Sequence, residues 1–197
     1  MTKKKQIIGI ELGTVCLKAA VIEFNGKTLL LREHAIQPVE GMDLVAALGL
    51  LLSKLKSSCR DCAIAARPES AILRFIEHDP TGTIDIRSLL NPEVGQAGLE
   101  EYILDFVDIG KGKQAPKSRL YVACGAPRKE LEDARQLFHQ LKYNIQLFQL
   151  TPIAVFNAFQ ASLEEGPVVK PFLSVDFGGK RTSLSGGNAE LHLMREV

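Results

Sequence analysis

Three consecutive extended segments open the chain, and this opening constrains the fold more than any other feature of the sequence. Residues 6–12 and 17–24 are apolar runs, the second ends at Asn25-Gly26, and residues 28–37 form a third run. Asn-Gly between two extended runs is a strong signal for a tight β-hairpin. The chain is therefore expected to begin with strands that are joined by short turns.

A helix and a buried strand follow this opening. Asp43 can cap a helix because a carboxylate accepts hydrogen bonds from the N–H groups of the first turn, and residues 62–66 form a short apolar run. The apolar positions that follow the helical period are Leu44, Val45, Leu48, Leu51, Leu52 and Leu55. The order strand, strand, strand, helix, strand predicts a mixed α/β sheet rather than a purely parallel one.

The predicted secondary structure changes after Arg67-Pro68. A strand pattern is followed by a segment rich in turn residues, a segment of weak helical potential and two further strands. Clean helical periodicity returns after Pro127. We predict a core subdomain made of residues 1–69 and 125–197, and an inserted strand-helix-strand-strand subdomain made of residues 70–124.

Composition and charge exclude several classes of function. The chain has 197 residues, of which 46% are hydrophobic, so it can bury a core. It carries 24 basic and 23 acidic residues without a basic stripe, which argues against nucleic-acid binding. No apolar run approaches the roughly 20 residues that span a bilayer, and Lys3, Lys4 and Lys5 are expected to be solvated. A cytosolic protein is predicted.

Two short motifs invite a chemical interpretation that their context does not support. Cys59 and Cys62 form a C-x-x-C, but a zinc site needs two more ligands, and Cys16 and Cys124 belong to other elements. The four cysteines are interpreted as structural thiols. The Gly110-Lys111-Gly112-Lys113 text lies between two strands, whereas a phosphate loop joins a strand to a helix.

Two turns near opposite ends of the chain share one pattern. Each consists of an apolar strand, an acidic residue and a glycine turn: IELGT from Ile10, and VDFGG from Val175. Glycine lets backbone N–H groups face an anion, and a carboxylate can hold hydrated magnesium. One such turn is usually only a tight hairpin, but two that face each other can clamp a polyphosphate.

These segments carry a resemblance to a known family. GIELGTVCLK from Gly9 resembles the first phosphate motif of the PilM family of type IV pilus assembly proteins, and VDFGGKRT from Val175 resembles the second. Shorter segments between them fall in the family's order, and the related FtsA family shares the layout. The resemblance implies an actin-like (RNase H-like) mixed sheet with the inserted subdomain, the second half of that fold being largely missing.

The resemblance leaves two alternatives for the cofactor: ATP with magnesium, or none. Glu11 and Asp176 would hold the metal. The residues that would contact the nucleotide are Gly13, Thr14, Lys18, Asp176, Gly178, Gly179 and Thr182.

Three departures from the family pattern bear on this ligand. The family usually has aspartate at Glu11, and the extra methylene moves the carboxylate in a site where magnesium demands near-ideal geometry. Lys180 and Arg181 stand where small or hydroxyl residues are preferred, and either pair with a phosphate or fill its place. The family's proteins are also roughly twice as long as this chain.

The function implied by the resemblance is a cytoplasmic scaffold of a pilus- or secretion-type machine, held at the inner membrane through a partner. It would dock the cytoplasmic tail of a PilN-like membrane protein in a groove between the core and the inserted subdomain, with Arg74 and Phe75 on strand 72–77 as groove residues. Self-association is a further possibility. The alternatives are an ATP-binding enzyme, either an ATPase or a sugar kinase, and a GspL-type secretion scaffold.

Overall fold

The computed structural model describes residues 5–79, 85, 87, 90, 98–112, 117–162, 172–180, 182–187 and 192–196. These residues form two compact units, one drawn from residues 1–67 and 135–197 and the other from residues 68–134. Lys3, Lys4, Lys113, Arg181 and most of the weakly helical stretch before Gly98 lie outside the described residues. Each unit has a sheet and an apolar cluster of its own.

The first unit contains a five-stranded mixed sheet. Strands β1 (Lys5–Leu12), β2 (Cys16–Phe24) and β3 (Leu29–Pro38) pair antiparallel. Strands β4 (Asp61–Ala66) and β8 (Asn144–Leu150) extend the sheet in parallel, in the order β3-β2-β1-β4-β8. The predicted mixed sheet is therefore present.

Local side-chain chemistry sets the turns and the first helix. The Asn25 carboxamide oxygen accepts hydrogen bonds from the N–H groups of Lys27 (3.0 Å) and Thr28 (2.9 Å), which closes the β2–β3 hairpin. Helix α1 (Leu44–Ser53) begins as predicted, because the Asp43 carboxylate accepts from the Ala46 N–H at 2.8 Å. This helix makes the crossover that a parallel β4 requires.

One face of the five-stranded sheet forms the core of this unit, since alternate side chains of a strand point to the same face. Helix α1 and helix α2 (Arg128–Gln140) contribute to the core. The buried residues are Ile8, Ile10, Leu17, Ala19, Val21, Ala35, Cys62, Ile64 and Ala66 from the strands, and Ala47, Leu48, Leu51, Leu52, Leu55 and Phe138 from the helical side.

A second sheet completes the first unit. Strands β9 (Phe172–Phe177), β10 (Thr182–Gly187) and β11 (His192–Glu196) pair antiparallel in the order β11-β10-β9. Helix α3 (Thr151–Ser162) follows β8 directly and contacts β8, β4 and β10. This helix therefore links the two sheets of the unit.

The second unit is a three-stranded antiparallel sheet. Strands β5 (Ile72–His78), β6 (Tyr102–Lys111) and β7 (Arg119–Pro127) pair in the order β5-β7-β6. The apolar cluster on one face consists of Ile72, Leu90 and Ala123, with Ile76, Tyr102 and Leu104 packed against it.

The glycine- and lysine-rich segment that begins at Gly110 lies at the β6–β7 hairpin. Gly110 has a φ of 135° at a register shift in this hairpin, and Arg119 donates two hydrogen bonds to the Asp108 carboxylate at 2.9 and 2.8 Å. Both flanks of the text are strands, as predicted. Within the described part of the chain, no helix is long and apolar enough to cross a membrane.

Candidate functional site

The first glycine turn joins β1 to β2. A Cβ atom at Gly13 would overlap the carbonyl oxygen of Cys16, so only glycine allows so tight a turn. Thr14 and Val15 are exposed at its tip, and Val15 has 59% of its surface accessible. The tip of the turn thus carries one hydroxyl and one apolar side chain.

An ion pair spans the base of this turn. Glu11 on β1 lies directly opposite Lys18 on β2, and the Lys18 Nζ is 2.9 Å from the Glu11 Oε2. The hydrogen bond that Lys18 donates to Glu11 raises the pKa of Lys18, partial burial opposes the rise, and the charge of Asp176 adds a smaller rise. Lys18 is thus the counter-ion of Glu11 and lies within the field of Asp176.

The second glycine turn joins β9 to β10. Asp176 is half-buried at the end of β9, opposite Ser183, and Thr182 is half-buried at the start of β10. Gly178, Gly179 and Lys180 between them are exposed. Phe177 has 82% of its surface accessible and is paired across the strands with Thr182.

The two turns contact each other in the structure. A Cβ atom built on Gly179 would overlap the Val15 Cγ2 and would lie 3.1 Å from the Thr14 Oγ1. Gly179 therefore packs directly against the tip of the first turn. Sequence reasoning missed Val15, although an apolar β-branched residue in a turn of small and hydroxyl residues was an available signal.

One of the two predicted metal ligands, Glu11, forms an ion pair within the chain. Glu11 binds Lys18, so its carboxylate already has a cation at 2.9 Å. Among the residues that the structure describes, no three side chains of His, Cys, Asp or Glu come close enough to hold a metal ion. Magnesium can bind through one or two carboxylates and water, but here Lys18 provides the positive charge.

The C-x-x-C thiols contact the main chain. The Cys59 Sγ lies 3.2 Å from the Gln6 carbonyl oxygen, and the Cys62 Sγ lies 3.4 Å from the Asn144 carbonyl oxygen. Burial raises the pKa of Cys62 to about 11. Its thiol is therefore protonated at neutral pH and is a poor nucleophile and a poor metal ligand.

Arg74 and Phe75 lie on an edge strand, because β5 pairs only with β7 within the described residues. Adjacent strand residues point to opposite faces. Arg74 is exposed on the face that carries Ile72 and Ile76, whereas half-buried Phe75 shares the other face with Leu73. The two predicted groove residues can therefore act on the same peptide only across the strand edge.

The opposite edge of the same sheet has a depression beside it. Its volume is about 490 Å³, and β6 is the edge strand that borders it. The lining residues are Asp85, Arg87, Tyr102, Ile103, Leu104, Phe106 and Arg128. Sequence reasoning did not single out this edge.

Comparison with solved structures identifies the fold. A structure described as the PilM-PilN type IV pilus biogenesis complex matches 98% of this chain with a TM-score of 0.77 and 18% sequence identity. A Bacteroides thetaiotaomicron protein described as having an actin-like ATPase fold and unknown function matches 98% of the chain with a TM-score of 0.52 and 12% identity. The predicted actin-like fold is thereby confirmed.

The same comparisons set the extent of the likeness. The chain spans 61% of the length of the PilM-PilN match and 69% of the Bacteroides match. A scan against protein-family models and a search of curated proteins both give no match. The likeness at these identities is one of structure.

Proposed function

We propose that this chain is a cytoplasmic scaffold of a pilus- or secretion-type machine, which docks the cytoplasmic tail of an inner-membrane partner and binds nucleotide weakly or not at all. The observation that supports docking most directly is that β5 is an edge strand of its sheet within the described residues, together with the likeness to a structure in which PilM is in complex with PilN. No catalytic residue is required for such a role.

An edge strand can hold an extended peptide by main-chain hydrogen bonds, while side-chain contacts give specificity. The β5 edge offers seven residues of main chain, with Arg74 on one face and Phe75 on the other. Neither Leu73 nor Phe75 belongs to the apolar cluster of the unit. Each is half-buried, so part of each side chain can contact a partner from the face opposite that cluster.

The proposal is tested with the amino-terminal tails of single-span membrane proteins encoded beside this chain. Synthetic tails are titrated against the folded protein in a fluorescence anisotropy assay. We expect one tail to bind, and Arg74→Glu or Phe75→Ala to weaken it by about tenfold or more, as for central interface residues. The variant with the larger effect identifies the face that the tail's side chains contact.

Two control variants accompany this measurement. Lys27→Glu reverses a charge in an exposed turn of the other unit and should leave binding unchanged. Phe106→Ala changes the opposite edge of the same sheet, where Phe106 is 46% exposed. If no tail binds, the docking role is wrong, and if only Phe106→Ala weakens binding, the tail occupies β6 instead of β5.

An ATP-binding enzyme is the second candidate, and one observation favours it. The two glycine turns lie together, with Lys18 beside Glu11 and in the field of Asp176, which is a plausible set of groups for a polyphosphate and its cation. The contact of Val15 with Gly179 argues against it, because Val15 occupies the space directly in front of Gly179. Sensitivity of thermal stability to Mg-ATP separates the two candidates.

A further inference from the structure

The two glycine turns make a contact through a side chain. The Val15 Cγ2 occupies the space in which a Cβ atom of Gly179 would lie. The φ of Gly179 is outside the left-handed region, so its backbone would accept an L-residue without strain. Glycine is therefore required at this position for lack of space and not for backbone conformation.

A phosphate group held from both sides needs a different spacing. Each turn would donate a hydrogen bond of about 2.9 Å to a phosphate oxygen, so the turns must stand apart by the anion and two such bonds. Here the two turns are in van der Waals contact through Val15. The residues present therefore do not fit a polyphosphate between the turns.

The charges where the two turns meet also argue against a bound polyphosphate. A polyphosphate site needs a metal cation to balance its carboxylates and its phosphates. In this chain the Lys18 ammonium, 2.9 Å from the Glu11 carboxylate, balances Glu11 and attracts Asp176. The Glu11 carboxylate thus has a cation that belongs to the chain itself, and the same ammonium attracts Asp176 more weakly.

We infer that the junction is a closed clasp in which Val15 stands in the place of the polyphosphate and Lys18 in the place of the metal. The β1–β2 and β9–β10 hairpins are then held together without nucleotide. This inference rests on the part of the proposed function that concerns weak or absent nucleotide binding, and it extends that part by naming what replaces the ligand.

A double-mutant cycle between Gly179→Ala and Val15→Gly tests the contact. Gly179→Ala alone should lower the melting temperature by about 3–8 °C, because its Cβ overlaps Val15. In the Val15→Gly background the same substitution should cost less than about 1 °C, since the space is then free. Val15→Thr, which keeps a γ-branch, should preserve the full penalty and is the matched control.

A ligand titration tests the replacement. Melting curves are recorded for the wild type, Val15→Thr and Val15→Gly with Mg-ATP and with magnesium tripolyphosphate. We expect no shift for the wild type or Val15→Thr, and a rise of about 3 °C or more for Val15→Gly at saturating ligand.

Three results would overturn the inference. One is a ligand-induced rise in the wild type, and another is an equal cost of Gly179→Ala with and without Val15. The third is a Val15→Gly variant that is folded but unresponsive to both ligands. Should Val15→Gly not fold, Val15→Ala takes its place in both experiments, because it also lacks the overlapping Cγ2.

The partner-tail assay keeps the two proposals apart. Tail binding should be the same in Val15→Gly as in the wild type, since Arg74 and Phe75 belong to the other unit. If no variant binds a tail but the cycle shows coupling, the docking role fails and the clasp stands. If the tail binds and the cycle shows no coupling, the docking role stands and the clasp is wrong.

Discussion

Removing the Lys18 ammonium should cost more stability than neutralising its partner Glu11, although the direct bond between them is weak. The side chains of Lys18 and Glu11 are 48% and 32% exposed. Ion pairs this accessible contribute about 0.2–1 kcal/mol in double-mutant cycles, because water screens them and ordering them costs side-chain entropy. We expect a coupling of about 0.5 kcal/mol between Glu11→Gln and Lys18→Met.

Asp176 makes the two single substitutions unequal. Its charge adds to the attraction on Lys18, so Lys18→Met leaves two carboxylates without their shared cation. Glu11→Gln removes only one of the two carboxylates that attract Lys18. The loss should therefore be larger for Lys18→Met, with both losses below about 2 kcal/mol because the groups are solvated.

Urea unfolding of the wild type, both single variants and the double variant measures these quantities. The cycle is repeated in about 1 M salt, where the screening length falls to about 3 Å and the coupling should shrink. A coupling above about 3 kcal/mol that survives high salt would refute the assignment of a solvated pair. Equal losses for the two single variants would show that Asp176 does not act on Lys18.

The pH dependence of this pair has a defined sign. The pKa of Lys18 is raised in the folded state above the ordinary value of 10.5. Its stabilisation is therefore fully present below about pH 10 and is lost as the pH rises through the folded pKa. The difference in stability between the wild type and Lys18→Met should shrink over that range, and a difference that grows instead would contradict this reasoning.

Two further predictions concern the core of the first unit. Phe138→Ala should lower the free energy of unfolding by about 3–5 kcal/mol, because the ring is fully buried; urea unfolding should show a loss below about 2 kcal/mol for half-buried Leu137→Ala on the same helix. The pKa of Cys62, about 11 when folded against 9.0 ordinarily, means that stability falls between about pH 9 and pH 11, by at most about 3 kcal/mol because solvent screening reduces the cost. Cys62→Ala should flatten that part of the stability profile, and a variant profile as steep as the wild type's would argue against burial as the cause.

Much of the fold could be predicted because its signals are local. Asn25-Gly26 marks a hairpin through its own side chain and backbone, and Asp43 marks a helix start three residues before the N–H that it accepts. The features that could not be predicted from the sequence depend on contacts between residues far apart in the chain. The place of β8 beside β4 joins residues more than 80 positions apart, and the irregular register after Val21 leaves no mark in the period-2 pattern.

The two turns of the candidate site could be predicted from the sequence, but the contact between them could not. The strand-acid-glycine pattern indicated two facing turns, and the cross-strand pairing of Glu11 with Lys18 follows from the length of the first turn. The role of Val15 depends on how closely a second hairpin approaches from over 160 residues away. Only the folded chain shows that this side chain packs against Gly179.

Docking and nucleotide binding are separable in this architecture. The two glycine turns belong to one unit and the β5 edge to the other, and each unit has an apolar cluster of its own. A ligand between the turns would have to displace the Val15 contact before it gained any hydrogen bond, and that cost recurs at every binding event. A peptide on the outer side of β5 needs no such opening, because β5 has no neighbouring strand on that side within the described residues. Tail affinity should therefore be independent of Mg-ATP, and an affinity that changes with Mg-ATP would show that the two units communicate through the turns.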